Sequence, residues 1–214
     1  MPVPVPTQIY RLTHVDNLGT LLRRGGLHAP HHTPNDGLGY RTIHDVEIQA
    51  ERRVWVIECG PGGTVHDYVA FYLGPRSPML YKLNRGGVPG YTEGQEPLIY
   101  LVSTVQAVAA AGLDFVFSDG HGIARFTSWY SKLADLDRVD WETVYARYWA
   151  DTIDDMDRKR RKQAEFLVYR HCPWALIREI GVVSSRTKRQ VEGVLARYGQ
   201  DMLRPVKVRR EWYY

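Results

Sequence analysis

Residues 158–169 read RKRRKQAEFLVY, so five consecutive cations lead directly into an apolar run. The apolar residues 166–169 predict a buried strand, whereas a basic block is typical of a solvent-exposed surface. Glu165 lies where the two meet. A carboxylate at such a boundary suits an ordinary salt bridge, and it equally suits a reaction at the centre of an anionic ligand.

The sequence around this stretch predicts an α+β fold with a mixed or antiparallel β core and peripheral helices. Apolar runs bounded by turn residues predict further strands at 9–14, 54–57, 68–73, 79–83, 98–102, 115–117, 178–183 and 205–210. Caps and helical spacing predict helices after Asp16, at 43–53, after a capping box at Ser103, at 124–136, at 140–149 and at 187–198. The chain has 214 residues, 44% of them hydrophobic, which suffices for one core, and we expect a single domain over 1–214.

The composition argues against several classes of protein. Two cysteines are too few for a disulfide framework, and no Cys/His spacing matches a zinc site, so we expect no metal. The N-terminal MPVPVP does not resemble a signal peptide, and no apolar stretch approaches the roughly 20 residues that span a bilayer. We therefore expect a soluble, cytoplasmic monomer without a membrane partner.

Several common catalytic patterns are also missing. The glycine clusters at 60–63 and 86–95 lack the spacing of a P-loop or of a GxGxxG motif. No Ser/His/Asp or Cys/His nucleophile has a recognisable local context, and Cys172 lies in an apolar neighbourhood that predicts packing. Three histidines, His28, His31 and His32, invite a metal-site interpretation, but no carboxylate or helical spacing accompanies them.

Aromatic residues are concentrated at 126–149, just before the basic block. Aromatic faces stack on unpaired bases and cations follow phosphates, so this combination indicates a single-stranded nucleic acid as partner. The alternative is that Trp129, Trp141 and Trp149 pack in helix cores. The formal net charge of +4 is compatible with either interpretation.

Five motifs occur in order along the chain: IYRLTHVDNL at 9–18, EIQAERR at 47–53, HDYVAFYLGPRSPMLY at 66–81, QAEFLVY at 163–169 and WYY at 212–214. Together they resemble the DarT family of DNA ADP-ribosyltransferase toxins. The matches run from residue 9 to the last residue, so the resemblance covers nearly the whole chain. It implies a diphtheria-toxin/PARP-like ADP-ribosyltransferase fold.

The resemblance also implies an activity and its partners. Such an enzyme transfers ADP-ribose from NAD+ to a base of single-stranded DNA, most often thymine in a preferred context, and releases nicotinamide. The NAD+ is a co-substrate. The setting implied is a toxin–antitoxin pair, in which a macrodomain antitoxin of the DarG type removes the modification.

Two residues resemble the family's catalytic pair. Cleavage of the nicotinamide–ribose bond passes through an oxocarbenium-like state, which a carboxylate stabilises more than it stabilises the ground state. Glu165 resembles the glutamate with this role. Arg53 resembles the arginine implicated in activating the thymine and contacting NAD+, and Arg52 is the alternative if the register is shifted by one. With a pKa above about 12, a guanidinium is a poor proton acceptor, so stabilising a deprotonated base or a pyrophosphate is easier.

The resemblance assigns further binding roles. Leu12, Thr13 and His14 resemble the first NAD+-contacting strand, and residues 28–53 resemble the NAD+-binding element. Arg11 departs from the histidine that many relatives carry, which leaves a side-chain role there open. Residues of about 118–165 resemble the substrate-recognising loop region. Within it we predict DNA contacts from four cations: Arg158, Arg160, Arg161 and Lys162.

Two other functions fit parts of the sequence. A single-stranded nucleic-acid-binding module without catalysis would use the same basic and aromatic surface, although it would not need Glu165 beside a catalytic arginine. An NAD+ glycohydrolase, or a transferase acting on protein or RNA, would use the same pair. The mass of an oligonucleotide incubated with NAD+ separates these functions from DNA modification.

Overall fold

The computed structural model describes residues 1–214. Ten strands are β1 Gln8–His14, β2 Gly26–His28, β3 Tyr68–Tyr72, β4 Leu98–Thr104, β5 Phe115–Ser118, β6 Trp129–Tyr130, β7 Glu165–Tyr169, β8 His171–Pro173, β9 Glu179–Val182 and β10 Val206–Val208. Seven α-helices are α1 Leu18–Arg23, α2 Val46–Val54, α3 Pro78–Asn84, α4 Val105–Ala110, α5 Trp141–Tyr145, α6 Arg158–Arg161 and α7 Ser185–Leu195.

The predicted strand after the basic block is β7, and it lies in the interior of an eight-stranded sheet. The order of this sheet is β10-β9-β4-β1-β3-β7-β5-β6, with only β10 and β9 paired in parallel. Phe166 and Val168 enter the largest hydrophobic cluster, while Leu167 enters a smaller cluster on the opposite face. Because both faces of β7 are covered, its sequence after Glu165 is apolar. The predicted α+β class with a mixed sheet is confirmed.

The sheet opens between β1 and β3. Strand β1 pairs with β4 over its full length, but it pairs with β3 at only one position, Tyr10 opposite Tyr72. Beyond that position the two strands diverge, and a cavity is lined by Leu12 and Thr13 on one side and by Val69 on the other. One edge of β1 is therefore left without a neighbouring strand at the cavity.

Most predicted strands are confirmed, with small differences at their ends, but the prediction for 79–83 is wrong. This segment lies in α3, whose first turn is stabilised by Pro78 and by the Ser77 hydroxyl, which accepts a hydrogen bond from the Leu80 amide. Leu80 and Leu83, three positions apart, are both buried. A short apolar run fits a helix as well as a strand, and here the cap and the packing decide.

Two further predictions are wrong. Residues 54–57 form a single β-bridge, Val56 to Thr64, instead of a strand. Residues 124–136 contain β6 and the start of a 3-10 turn instead of a helix. Asp140 does cap α5, as predicted, but the helix ends at Tyr145. No helix combines the length and the apolar character needed to cross a membrane.

Candidate active site

A cavity of about 1030 Å³ opens where β1 and β3 diverge. Its walls come from these two strands, from the loop and helix at 40–52, from α3, and from the start of β7. Glu165 is the first residue of β7 and lies opposite Tyr72 in the sheet register. The cavity is large enough for a dinucleotide, since small-molecule sites commonly have volumes of about 300–1,000 Å³.

Glu165 forms a two-point ion pair with Arg52 inside this cavity. The Arg52 Nη1 and Nη2 atoms donate to Glu165 Oε1 and Oε2 at 2.9 and 2.7 Å. Glu165 and Arg52 are 3% and 8% exposed, so both charges are largely removed from water. The paired geometry is the strong, directional form of a carboxylate–guanidinium contact.

The ion pair fixes the charge of the carboxylate. Burial raises the pKa of Glu165, but the positive charge and hydrogen bonds of Arg52 outweigh burial and hold that pKa below its usual value. The same burial, together with the charge of Glu165, raises the pKa of Tyr72 to about 12. Glu165 is therefore an anion at neutral pH and Tyr72 is a neutral hydroxyl.

Arg53, the predicted catalytic arginine, lies elsewhere. It is exposed, while Arg52 is the buried residue of α2. Successive residues of an α-helix point about 100° apart, so only one of two adjacent arginines can face Glu165. The structure gives that position to Arg52, the alternative that a one-residue shift of register allows.

A loop between β5 and β6 closes against the carboxylate. The Gly122 amide donates to Glu165 Oε1 at 3.0 Å. A Cβ atom at position 122 would lie 3.0 Å from this oxygen and 3.2 Å from the Trp129 ring, so a larger residue would force one of these neighbours to shift. His121 also lines the cavity, and burial lowers its pKa. Nothing in the local sequence pattern marked this loop as a partner of Glu165.

A second cation, Arg11, lines the cavity near Arg52. Its Nη1 donates to the Ala70 carbonyl at 3.0 Å, and it forms no ion pair with a carboxylate. Burial and the neighbouring charge of Arg52 lower the pKa of Arg11. The cavity is lined by four arginines and two lysines but by only two carboxylates, Asp45 and Glu165, which favours an anionic ligand.

Of the three β1 residues predicted to contact NAD+, Leu12 and Thr13 line the cavity and His14 does not. The His14 ring is 2% exposed and accepts a hydrogen bond from the Asp16 amide at 3.1 Å. Because the His14 ring caps the turn that follows β1, its side chain is not available to a ligand in the cavity.

The basic run shows a different arrangement from the one predicted. Lys162 is 2% exposed, and its Nζ donates to the carbonyls of Val144 and Ala146 at 2.6 and 3.0 Å. Burial lowers the pKa of Lys162 to about 7. Lys162 therefore binds backbone carbonyls inside the protein, and the predicted contact with DNA would require its amino group to leave this enclosed position.

Two other members of the run are occupied by carboxylates. Arg160 pairs with Asp119 at 2.8 Å and with Asp157 at 2.7 Å. Arg161 pairs with three aspartates: Asp140, Asp155 and Asp157. Arg158 donates to the Tyr148 carbonyl and has no acidic partner. The predicted DNA contacts of Arg160 and Arg161 conflict with this geometry, because a phosphate would have to displace aspartates already bound.

The aromatic residues divide between core and surface. Trp141 is buried, with its Nε1 donating to the Leu136 carbonyl, and Trp149 lines the cavity. Phe126 and Tyr148 are 86% and 80% exposed on loops. The aromatic segment therefore supplies both a buried core residue and exposed rings.

The histidine-rich loop packs around a carboxylate. His32 Nε2 lies 3.0 Å from an Asp67 oxygen, and His31 Nδ1 lies 3.5 Å from the same atom. No group of three histidine, cysteine or acidic side chains is placed to hold a metal ion. Cys172, predicted to be packed, is fully buried in the largest cluster.

The geometry can now be compared with known proteins. The family model for "ssDNA thymidine ADP-ribosyltransferase, DarT" matches residues 10–214. The chain belongs to the DarT family. The predicted family and the predicted enzyme class, an ADP-ribosyltransferase acting on DNA, are confirmed.

Individual relatives match this DarT-family chain over its full length. A DNA ADP-ribosyl transferase of Thermus sp. (strain 2.9) is 44% identical over 99% of this chain and 98% of its own length. The structure of Thermus sp. 2.9 DarT in complex with ADP-ribosylated ssDNA has a TM-score of 0.93 at 42% identity, over 100% and 99% of the two chains. The same protein in complex with NAD+ gives a TM-score of 0.89 at 42% identity, over 100% of both chains.

One more distant relative differs in its architecture. A protein of Thermosipho africanus, named a DNA ADP-ribosyl transferase–DNA ADP-ribosyl glycohydrolase fusion, is 24% identical over 58% of this chain and 30% of its own length. The match therefore covers only part of each protein.

Proposed function

We propose that this protein uses NAD+ to ADP-ribosylate thymidine in single-stranded DNA, with Glu165 and Arg52 as its catalytic pair. We assign these two residues because the buried Glu165 carboxylate lies at the wall of a dinucleotide-sized cavity and accepts two hydrogen bonds from Arg52. The family, and the Thermus sp. complexes with NAD+ and with ADP-ribosylated ssDNA, support the choice of substrates.

Glu165 has the charge and the free acceptor capacity that the reaction requires. Its Oε2 accepts one hydrogen bond, from Arg52, and a carboxylate oxygen has room for a second donor. A ribose hydroxyl of NAD+ would be this donor. As the bond between nicotinamide and ribose breaks, positive charge develops on the ribose, and a fixed anion beside it stabilises that state more than the ground state.

In the step that modifies thymine, a positive charge in the site is more useful than a proton-accepting side chain. A ring nitrogen of thymine forms a bond to the anomeric carbon and loses its proton, while nicotinamide leaves with the electrons of the broken bond. Arg52 and Arg11 supply positive charge for the pyrophosphate or for the deprotonated base, which matches the chemistry of a guanidinium better than proton abstraction does. We assign the predicted arginine role to Arg52 and keep Arg53 as its matched control.

The binding elements follow from the lining of the cavity. We propose that NAD+ contacts Leu12 and Thr13 through the open edge of β1, where backbone groups face the cavity instead of a strand. Residues 28–53 form the proposed NAD+-binding element, and residues of about 118–165 form the proposed substrate-recognising region. Both belong to one proposed domain, 1–214.

We also propose a biological setting. A toxin that modifies DNA requires an opposing activity, and we infer a macrodomain antitoxin of the DarG type that removes ADP-ribose. The Thermosipho africanus relative, whose name joins a transferase to a DNA ADP-ribosyl glycohydrolase, supports this pairing. Such a partner would return the modified oligonucleotide to its starting mass. Because DNA and NAD+ are both present in the cytoplasm, we propose that the protein acts there and that it acts as a monomer.

The test is the mass of a single-stranded oligonucleotide after incubation with NAD+. We expect a gain of one ADP-ribose, and we expect Glu165→Gln to lower kcat by about 10²–10³-fold, as loss of a charge-stabilising group does elsewhere. Arg52→Ala should lower kcat far more than Arg53→Ala. A larger loss in Arg53→Ala would return the role to Arg53, and nicotinamide release without an adduct would refute DNA modification.

A further inference from the structure

A second cavity, of about 650 Å³, lies beside the first one and is rich in arginine. Its four arginines come from separated parts of the chain: Arg76, Arg85, Arg147 and Arg210. None of the four forms an ion pair with a carboxylate within 4.0 Å. The cavity has one acidic residue, Glu211, which lies 3.9 Å from Arg209. We call the nine lining residues the arginine cleft: Arg76, Tyr81, Asn84, Arg85, Arg147, Arg210, Glu211, Tyr213 and Tyr214.

Arg76 is held in place by the rest of the cleft. Its Nη1 donates to the Tyr213 carbonyl, and its guanidinium lies 4.2 Å from the centre of the Tyr214 ring. Its backbone has φ of 56°, a left-handed conformation that costs a non-glycine residue about 1 kcal/mol or more. The Arg76 Nε is buried and has no hydrogen-bond partner. The Arg76 guanidinium is therefore held in a fixed orientation, and its Nε–H group remains unused as a hydrogen-bond donor for a ligand.

The cleft also carries aromatic side chains suited to a base. Tyr81 is 38% exposed, and its ring lies 5.1 Å from that of Tyr214 and 5.7 Å from that of Trp149. The Arg85 guanidinium lies 5.5 Å from the centre of the Tyr81 ring. Unpaired bases stack on such faces while arginines contact the phosphates between them, and each stacked base contributes about 1–3 kcal/mol.

The arginine cleft continues directly from the proposed NAD+ cavity. Tyr81 and Arg85 line both. Trp149 lines the first cavity, and its Nε1 donates to the Tyr214 hydroxyl of the second at 2.6 Å. A strand of DNA with one base at Glu165 would therefore have a path of unpaired cations and aromatic faces for its next nucleotides.

We propose that the arginine cleft binds the phosphates and an unpaired base of the single-stranded DNA that flanks the target thymidine. This inference rests on the proposed function and adds a second contact region to it. The cations that meet the DNA backbone are then Arg85, Arg147 and Arg210, with Arg76 as the anchored member. The basic run at 158–162 is not the main phosphate site.

The test compares a double variant with a matched control. Arg147→Ala/Arg210→Ala removes two exposed cations of the cleft, and neither residue lines the first cavity. Arg186→Ala/Arg189→Ala removes two exposed cations of α7, remote from both cavities. Both proteins are assayed with NAD+ and with two oligonucleotides that contain one thymidine, a trinucleotide and a chain of about twelve nucleotides.

We expect the cleft variant to raise KM for the long oligonucleotide about tenfold with little change in kcat, and to differ little from the unchanged protein on the trinucleotide. The slope of log affinity against log salt for the long chain should fall by about 1.4, since each phosphate contact on single strands contributes about 0.7. The α7 variant should match the unchanged protein in both measurements.

Three outcomes decide between the proposals. Equal KM and equal salt slope in the cleft variant would overturn the cleft proposal while leaving DNA modification intact. A fall in NAD+ affinity measured without DNA would also overturn it, because the cleft would then serve the co-substrate. If the unchanged protein adds no ADP-ribose to either oligonucleotide, the proposed function itself fails.

Discussion

Two groups of basic side chains border the proposed active site, and their electrostatic surroundings are opposite. The first is the run at 158–162, where Arg160 and Arg161 are surrounded by aspartates and Lys162 is buried against backbone carbonyls. The second is the arginine cleft, whose four cations have no carboxylate partner. The first group is consecutive in sequence and the second is collected from four separate segments.

The comparison shows that clustering of cations in sequence does not by itself make a polyanion site. A paired arginine offers DNA little, since a phosphate must first displace an aspartate that is already hydrogen-bonded to it. An arginine without a carboxylate partner can form a charge-assisted hydrogen bond with a phosphate without losing another contact. We infer that the run at 158–162 holds the loops beside Glu165 in place, while the arginine cleft meets the substrate.

Among the substitutions that test this comparison, the largest change in the free energy of unfolding is expected at Lys162. Lys162→Met keeps most of the buried volume but removes the donor to the Val144 and Ala146 carbonyls. Leaving two buried acceptors unpaired should lower the free energy of unfolding by about 2–4 kcal/mol. Denaturant unfolding of the two proteins measures this. A variant as stable as the unchanged protein would mean that Lys162 is free to serve a ligand.

A further effect, smaller for each pH unit, concerns the pH dependence of the same pair of proteins. Burial lowers the pKa of Lys162 to about 7 in the folded protein, whereas it is about 10.5 in the unfolded chain. Between these values the unfolded chain binds more protons, so the unchanged protein should gain stability relative to Lys162→Met as pH rises from 7 to 10.5. The gain is at most about 1.4 kcal/mol per pH unit. Unfolding curves of both proteins at pH 7, 8.5 and 10 check the sign, and a constant difference would contradict it.

The smallest effect separates one arginine of each group. Arg161→Ala should lower the free energy of unfolding by about 1 kcal/mol, because Arg161 is partly exposed and joins three aspartates. Arg147→Ala should change it by less than about 0.5 kcal/mol, because that side chain is exposed and has no ion pair. Thermal or denaturant unfolding measures both. If the two losses were equal or reversed, the two groups would not differ in the way we propose.

Local pattern predicted seven of the eight strands of the large sheet because their apolar runs are bounded by turns, but it missed β6 and the two strands of the small sheet, β2 and β8. It predicted Asp140 as a cap because capping depends on one side chain and the next turn. It failed at 79–83, where four apolar residues among five positions fit a helix and a strand alike and the Ser77 cap decides. It failed at 124–136 because polar and aromatic residues there are held by contacts with other elements.

Some residues of the candidate site were predicted from the sequence and others were not, and this difference has a physical reason. The resemblance in sequence indicated Glu165, and Leu12 and Thr13 do line the cavity, since strand residues keep their place along an extended chain. The orientation of His14 was not predictable, because it depends on a turn that its own ring caps. Gly122 was not indicated either, because its contact with Glu165 spans 43 residues and depends on a loop.

The sequence by itself determined the buried strand β7, the carboxylate at its start and the family to which the chain belongs. Only the tertiary structure decided which arginine faces that carboxylate, because Arg52 and Glu165 are 113 residues apart and the phase of α2 selects one of two neighbours. Only the tertiary structure distinguished Arg160 and Arg161, which pair with aspartates, from the unpaired arginines of the arginine cleft. Charges interact over distances in space, and folding sets those distances independently of the order of residues along the chain.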